Sequence, residues 1–293
     1  MLDKLAGRNM ILNMLLTNYH THFELDDGTG PLESYAESAI KKGLSILGFS
    51  PHAPLPYPND WSLSEENLRI YLELVGKIKE EYSERLTIYT GLEIDYVQGK
   101  GGPSHAKYDG MNLDYRIGSV HSMEEPQSGE DLSVDGPAED LVRLLENRFG
   151  GDSKSLVCGY FDLQMEMIEA GSFDILGHCD LIKKRNTDSR FFNQEDSWYR
   201  DKALEMLTAA SETDIVIEVN TGGLSRGATT EVYPSPWMLE KCRALNIPLT
   251  LSADAHQAQH IDFHLREAAK IVKSAGYGEI YFFSEGKWLS EPI

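Results

Sequence analysis

The chain has 293 residues, 41% of them hydrophobic, enough for a sizeable core in one large domain or two ordinary ones, which excludes disorder as the default. It carries 47 acidic against 27 basic residues, a net charge of -20, and a surface of that sign repels nucleic-acid backbones and anionic lipids at long range. Three cysteines (Cys158, Cys179 and Cys242) form no CxxC pair and leave an odd count, so a disulfide framework is excluded and a reducing, cytoplasmic setting is expected. No apolar run near the start is long enough to span a bilayer, and no membrane association is expected. Residues 1–13 carry no obvious chemistry and read as an N-terminal extension, either a short helix or a leader upstream of a start such as Met14.

From there on, short apolar runs alternate with longer amphipathic stretches. Residues 32–42 predict a helix, with Pro31 at its start and Gly43 just past its end. Residues 44–49 predict a buried strand leading to Ser50-Pro51-His52. A helix over 64–82 can be capped by Ser64, and Leu68, Tyr71, Leu72, Val75 and Ile78 recur at helical spacing. Strands follow at 86–89, leading to Gly91-Leu92-Glu93, and at 115–120, ending at His121. Helix 160–170 precedes strand 173–176 and His178, and helix 198–213 precedes strand 215–219 and Asn220. Helix 236–245 precedes strand 248–251, which runs into Ser252-Ala253-Asp254-Ala255-His256. A helix over 261–275 and a last strand over 279–283 complete the pattern. The stretches 99–110 and 124–136, rich in Gly, Ser and Asp, are expected to be long loops over the functional face. Strand, loop, helix, strand, repeated about seven times, implies a parallel sheet with right-handed crossovers. At this length, with residues 14–293 as a single domain, the expected architecture is an α/β, TIM-like (β/α) barrel whose site lies at the C-terminal strand ends.

The chemistry gathers at those ends. His20 and His22 are two apart, and in a strand that spacing turns both imidazoles to one face. An isolated pair of this kind carries little weight. Yet seven of the nine histidines (His20, His22, His52, His121, His178, His256 and, less tightly, His260) lie in or just after a predicted strand end. Glu93, Asp180 and Asp254 share the location. Imidazole and carboxylate together suit Zn, Mn or Fe, and six or more such ligands exceed what one ion needs. Two or three divalent ions with a bridging carboxylate fit better, and such ions can activate water and clamp a phosphoryl oxygen. Bound cations would also reverse the acidic field locally, so an anionic substrate is compatible with the net charge. His105, in a Gly-rich loop, reads as solvated, and His260 and His264 as a helix face near the rim. Cys179 alternates away from His178 and Asp180 and reads as core, while Asp180 reads as a supporting partner and not a ligand.

The ordered motifs His20-Thr21-His22, Ser50-Pro51-His52, Gly91-Leu92-Glu93, Gly118-Ser119-Val120-His121, Gly177-His178-Cys179-Asp180 and Ala253-Asp254-Ala255-His256 resemble the polymerase-and-histidinol-phosphatase (PHP) superfamily. Within it the chain is similar to the histidinol-phosphatases, most closely at 50–54 (SPHAP), 173–184 (FDILGHCDLIKK) and 218–236 (EVNTGGLSRGATTEVYPSP). The resemblance implies a distorted seven-stranded (β/α) barrel with a trinuclear metal site. It implies that His20, His22, Glu93 and Asp254 hold a first metal, and that Glu93 bridges to a second completed by His121 and His178. His52 and His256 would hold a third with an acidic residue shortly after His22, for which Asp27 is preferred and Asp26 remains open. Family members often have Ser-Asp-His where this chain has Ser50-Pro51-His52, which removes a supporting partner but leaves the ligand. The implied reaction is hydrolysis of a phosphate monoester, L-histidinol phosphate in histidine biosynthesis, with Glu93 and Asp254 as catalytic carboxylates.

Arg226, in the loop after Asn220, and Lys183, after the His178 strand, are the candidate phosphate-binding residues. A substrate amine or imidazolium would need a carboxylate or an aromatic wall, which the acidic loop at 124–135 or Asp95 could supply. Small-molecule phosphate esters are therefore the expected partners. The alternative is a PHP-type phosphoesterase acting on nucleotides or nucleic-acid ends, whose metal site would look the same. A barrel that keeps the motifs only for binding is disfavoured by the complete ligand set. An amidohydrolase-type barrel would carry a lysine or glutamate bridge on a mid-barrel strand.

Overall fold

A computed structural model describes residues 14–293, and the expected extension over residues 1–13 lies outside the described residues. In chain order the first half contains β1 (Thr17–Asn18), α1 (Leu32–Lys42), β2 (Ile46–Phe49), α2 (Glu65–Tyr82), β3 (Thr87–Asp95) and β4 (Tyr115–Ser119). Then come β5 (Ser122–Glu125), β6 (Glu130–Ser133), α3 (Ala138–Arg143), α4 (Ser153–Ala170), β7 (Ile175–Leu176), α5 (Ser197–Ser211) and β8 (Val216–Asn220). The chain ends with α6 (Gly222–Ser225), α7 (Pro236–Ala244), β9 (Leu249–Ser252), α8 (Leu265–Ser274), β10 (Glu279–Ser284) and β11 (Lys287–Pro292). Among the described residues no helix is long and apolar enough to cross a membrane.

Seven strands pair in parallel in the order β1-β2-β3-β4-β7-β8-β9. The two outer members meet just past their ends, where Ala255 N donates to His20 O at 3.2 Å and His22 N donates to Ala255 O at 3.0 Å. The result is a seven-stranded, nearly closed barrel with helices in the crossovers. β2, β8 and β9 are buried along their whole length, as expected of strands covered on both sides. Helix ends follow local chemistry: Ser64 Oγ accepts from Asn67 N at 3.0 Å to start α2, and Gly43, at φ 78°, ends α1.

Residues two apart on a strand share a face, so Tyr115 and Ile117 lie under Ser119 on β4. With Tyr19, Ile46, Ile175 and Phe283 they form an apolar cluster beneath the polar strand ends. Phe283 arrives on the C-terminal hairpin, where its N donates to Tyr19 Oη at 2.8 Å. The strand expected over 279–283 is therefore present as β10, but it does not join the barrel. Glu285 and Gly286 both have positive φ, the turn that folds a strand back on itself, and β10 pairs antiparallel with β11.

The stretch 124–136 also departs from the expected loop. It contributes to a hairpin, β5 paired with β6, because Met123 and Leu132 alternate onto a buried face and supply an apolar anchor. The stretch 99–110 is irregular apart from one tight turn at Ala106–Tyr108.

Candidate metal centre

Glu93 stands at the middle of the polar strand ends, 1% exposed. Its Oε1 accepts from Ser119 Oγ at 2.6 Å and lies 2.9 Å from His178 Nε2 and 3.6 Å from His121 Nε2. Its Oε2 lies 3.0 Å from His20 Nε2, 3.0 Å from His52 Nδ1 and 3.5 Å from His22 Nε2. One carboxylate thus faces two sets of imidazoles, one with each oxygen. Asp254 Oδ1 is 3.5 Å from His22 Nε2 and 3.4 Å from His256 Nδ1. Asp27 Oδ2 is 3.1 Å from His256 Nε2, and Asp27 Oδ1 is 3.8 Å from His52 Nε2.

Four overlapping groups place donor atoms within 4.8 Å of one another: His20, Glu93 and His178; His20, His22 and Asp254; His52, Glu93 and His121; and His22, Asp27, His52 and His256. The donors fit divalent ions on a direct observation. His20 Nε2, His22 Nε2, His52 Nδ1 and Glu93 Oε2 are all buried without a hydrogen bond, although they converge. Unpaired buried polar atoms are costly unless something else coordinates them.

The far sides of the His20, His22 and His121 rings are held by carboxylates, and that of His256 by the Asp254 backbone carbonyl. His20 Nδ1–H donates to Glu218 Oε2 at 2.9 Å, and Glu218 Oε1 in turn accepts from His178 N and Asn220 Nδ2. His22 Nδ1–H donates to Asp26 Oδ2 at 2.7 Å, and His121 Nδ1–H to Asp95 Oδ1 at 2.5 Å. Such partners fix the ring tautomer so that the other nitrogen faces the cluster. They also separate Asp26 from Asp27: Asp26 orients His22, while Asp27 sits among the donors. Asp95 is likewise taken by His121, away from the substrate role considered for it. His52 has no supporting carboxylate of its own behind its ring, in keeping with Pro51 before it; its backbone N donates to Asp26.

Charges in the centre are strongly interdependent. Burial would raise Glu93, but His20, His52 and His121 hold it well below the usual carboxylate range. Burial would likewise raise Asp254, yet Arg226 and His20 hold it well below. Burial would lower the imidazoles, but Glu218 and Glu93 push His20 well above its ordinary value; Glu93 takes His52 to about 10, and Asp95 and Glu93 take His121 to about 9.

A cavity of about 880 Å³ opens over this floor. Arg226 lines it, donating to Asp254 O at 3.0 Å and to Asp254 Oδ2 at 2.9 Å. Lys183 does not line it, which corrects the expectation of a phosphate contact. Its Nζ is buried against Asp180 Oδ2 (2.8 Å), Glu231 Oε1 (2.9 Å), Ser235 Oγ (2.7 Å) and Val232 O (2.9 Å). Its neighbour Lys184 faces the cavity instead, paired with Asp135 at 2.7 Å. Sequence reasoning also missed Trp61, whose ring centre is 4.7 Å from that of His52 and 5.9 Å from that of His121. Glu218 was missed as a supporting group, although a glutamate two residues before Asn220 on an apolar strand is a usable signal. His105, His260 and His264 lie outside all four donor groups.

Fold and site together define a parallel barrel with an imidazole–carboxylate metal centre at its C-terminal strand ends. The sequence matches the PHP domain family over residues 17–222, and the chain belongs to that family. It is 30% identical over 270 residues to a probable histidinol-phosphatase of Deinococcus radiodurans, covering 91% of this chain and 96% of the relative. It is 28% identical over 256 residues to the histidinol-phosphatase of Bacillus subtilis, covering 83% and 94%. Among solved structures, the fold matches the Lactococcus lactis histidinol phosphate phosphatase, crystallised with zinc, L-histidinol and phosphate, at a TM-score of 0.67 and 22% identity over 93% of this chain and 98% of that one.

Proposed function

We propose that the chain is a metal-dependent phosphomonoesterase that hydrolyses L-histidinol phosphate to L-histidinol and phosphate. The observation that carries the reading is Glu93, one buried carboxylate whose two oxygens face separate imidazole sets on the floor of a large cavity. The family membership and the histidinol-phosphatase relatives supply the substrate. We assign the metal ligands to His20, His22, Asp27, His52, Glu93, His121, His178, Asp254 and His256, holding two or three divalent ions (Zn, Mn or Fe). Such ions, when bound, supply Lewis-acid stabilisation of charge on phosphoryl oxygens and acidify water.

The chain's own residues do the rest. Arg226 brings a planar, permanently charged fork to the cavity floor, suited to two phosphate oxygens at once. Lys184, paired with Asp135, adds a second positive charge from the tight turn Leu181–Arg185 after β7. Glu218, Asp26 and Asp95 hold the rings of His20, His22 and His121 in one tautomer, and Ser119 fixes the rotamer of Glu93. Trp61 shields His52 and His121 from bulk water.

Stripping the protein with a strong chelator should abolish hydrolysis of p-nitrophenyl phosphate, and Mn or Zn should restore it. Steady-state rates should then favour histidinol phosphate over nucleotides by at least about tenfold in kcat/KM. Full activity in metal-free protein would sink the metal assignment, and a smaller preference would remove the substrate assignment.

A further inference from the structure

The cavity is much larger than its metal-binding floor, and its outer wall has a different chemistry. The turn over 56–61 presents Tyr57, and beside it stands the β5–β6 hairpin. The two are joined where Tyr57 Oη donates to Ser122 Oγ at 3.2 Å. The hairpin register pairs Ser122 with Ser133, Met123 with Leu132 and Glu124 with Asp131. Alternation therefore leaves Asp131 on the face opposite the buried Met123 and Leu132. Asp131 lines the cavity with a side chain only 4% exposed. Its Oδ2 accepts from Lys100 Nζ at 2.7 Å, and Lys100 is shared with Glu124 at 3.2 Å. Asp131 Oδ1 accepts no hydrogen bond among the described residues. One lysine is thus shared between two carboxylates, Asp131 and Glu124, so this wall carries more acid than base.

We propose that Asp131, on the same cavity wall as Tyr57, receives the positively charged end of the phosphomonoester, and so selects esters that carry an ammonium or imidazolium over neutral or anionic ones. The inference rests on the phosphomonoesterase reading and adds the residue that reads the substrate's non-reacting end. Arg226 and the metal floor take the anionic end and the hairpin the cationic end. Lys100 is then the internal counter-ion that a cationic substrate displaces or shares.

The test compares L-histidinol phosphate with p-nitrophenyl phosphate on metal-loaded wild type, Asp131→Asn and Lys100→Met, with circular dichroism as the check on folding. In Asp131→Asn the ratio of kcat/KM for histidinol phosphate to that for p-nitrophenyl phosphate should fall about tenfold or more, through KM, as expected for loss of a charged hydrogen bond. In Lys100→Met the same ratio should rise. An Asp131→Asn variant with an unchanged ratio, including one that loses both activities equally, overturns the assignment. Wild-type protein with no preference for the cationic ester would instead fail the substrate reading itself, before any variant is compared.

Discussion

Replacing Glu93 by Gln perturbs the most shared atom pair in the centre while keeping its volume. The amide oxygen can keep the Ser119 hydrogen bond at the Oε1 position, which turns the NH2 group toward His20, His22 and His52. The His121 and His178 side then retains a neutral acceptor, and the other side loses its anion. Removing one partner of a buried charge pair costs about 3–5 kcal/mol, which corresponds to roughly a hundred- to several-thousand-fold in ion affinity. Release of protons from the surrounding imidazoles offsets part of this, so the lower end of that range is the expected loss. Wild-type and variant protein, dialysed together against micromolar Zn or Mn, would be compared by elemental analysis, with thermal unfolding to confirm an intact fold. The variant should hold at least one ion per chain fewer and lose about 10³-fold or more in kcat/KM. Full occupancy with wild-type kinetics would refute the shared-carboxylate reasoning.

Gly222→Ala should damage the site without touching a ligand. An added Cβ would lie 2.6 Å from Asp254 Oδ2 and 2.8 Å from its Cβ, so Asp254 must move, and kcat should fall about 10- to 100-fold, measured beside metal content. The centre should bind ions in competition with protons. In metal-free protein the contribution of the raised His52 and His121, at about 10 and about 9, is complete below their unfolded value of 6.5 and fades as pH climbs through 9–10. That of the depressed Glu93 and Asp254 is present above their ordinary values, 4.5 and 3.8, and is lost as pH falls. The rise in Tm on adding Zn should accordingly grow from pH 6 to pH 9, and calorimetry should record proton release; a rise independent of pH would contradict this. Lys183→Met and Lys184→Met should separate structure from substrate contact. The first breaks a buried pair and should lower Tm by roughly 6–20 °C, while the second should raise KM with little change in Tm; the reverse pattern would restore Lys183 to the substrate site.

Much of this was legible because helix and strand boundaries carry local chemistry. Pro31 and Gly43 mark both ends of α1, and Ser64 marks the start of α2. The strand-end histidines were legible because a parallel barrel delivers every strand end to one face, so sequence position stands in for spatial position. Pairing partners were less so. The stretch 124–136 reads as polar loop because only Met123 and Leu132 reveal its buried side. Lys183 and Lys184 show the limit most clearly. They fall in the tight turn Leu181–Arg185, where successive side chains are about a third of a revolution apart, so adjacent lysines serve different environments. Trp61 stands in a turn between β2 and α2 and carries no periodicity to read at all.

The net charge of -20 acquires a definite meaning once its distribution is known. Long-range repulsion of a phosphate ester acts only until the substrate enters a cavity with low-dielectric walls, where nearby charges dominate. At the floor the carboxylates of Glu93, Asp254 and Asp27 are each faced by imidazoles, and Arg226 leaves its guanidinium at the surface of that floor. Elsewhere on the wall, Asp131 pairs with Lys100, Asp135 with Lys184 and Ser133, and Glu130 with Arg143. With the ions it is proposed to hold, the floor would favour an anion, while the proposed Asp131 contact would favour a cation. On the proposed Asp131 contact, an amino- or imidazolyl-bearing monoester matches both ends of the cavity, whereas a dianionic nucleotide with no positive group matches only the floor. Raising ionic strength should leave the discrimination by Asp131 largely intact, because its side chain is only 4% exposed and so is withdrawn from screening ions.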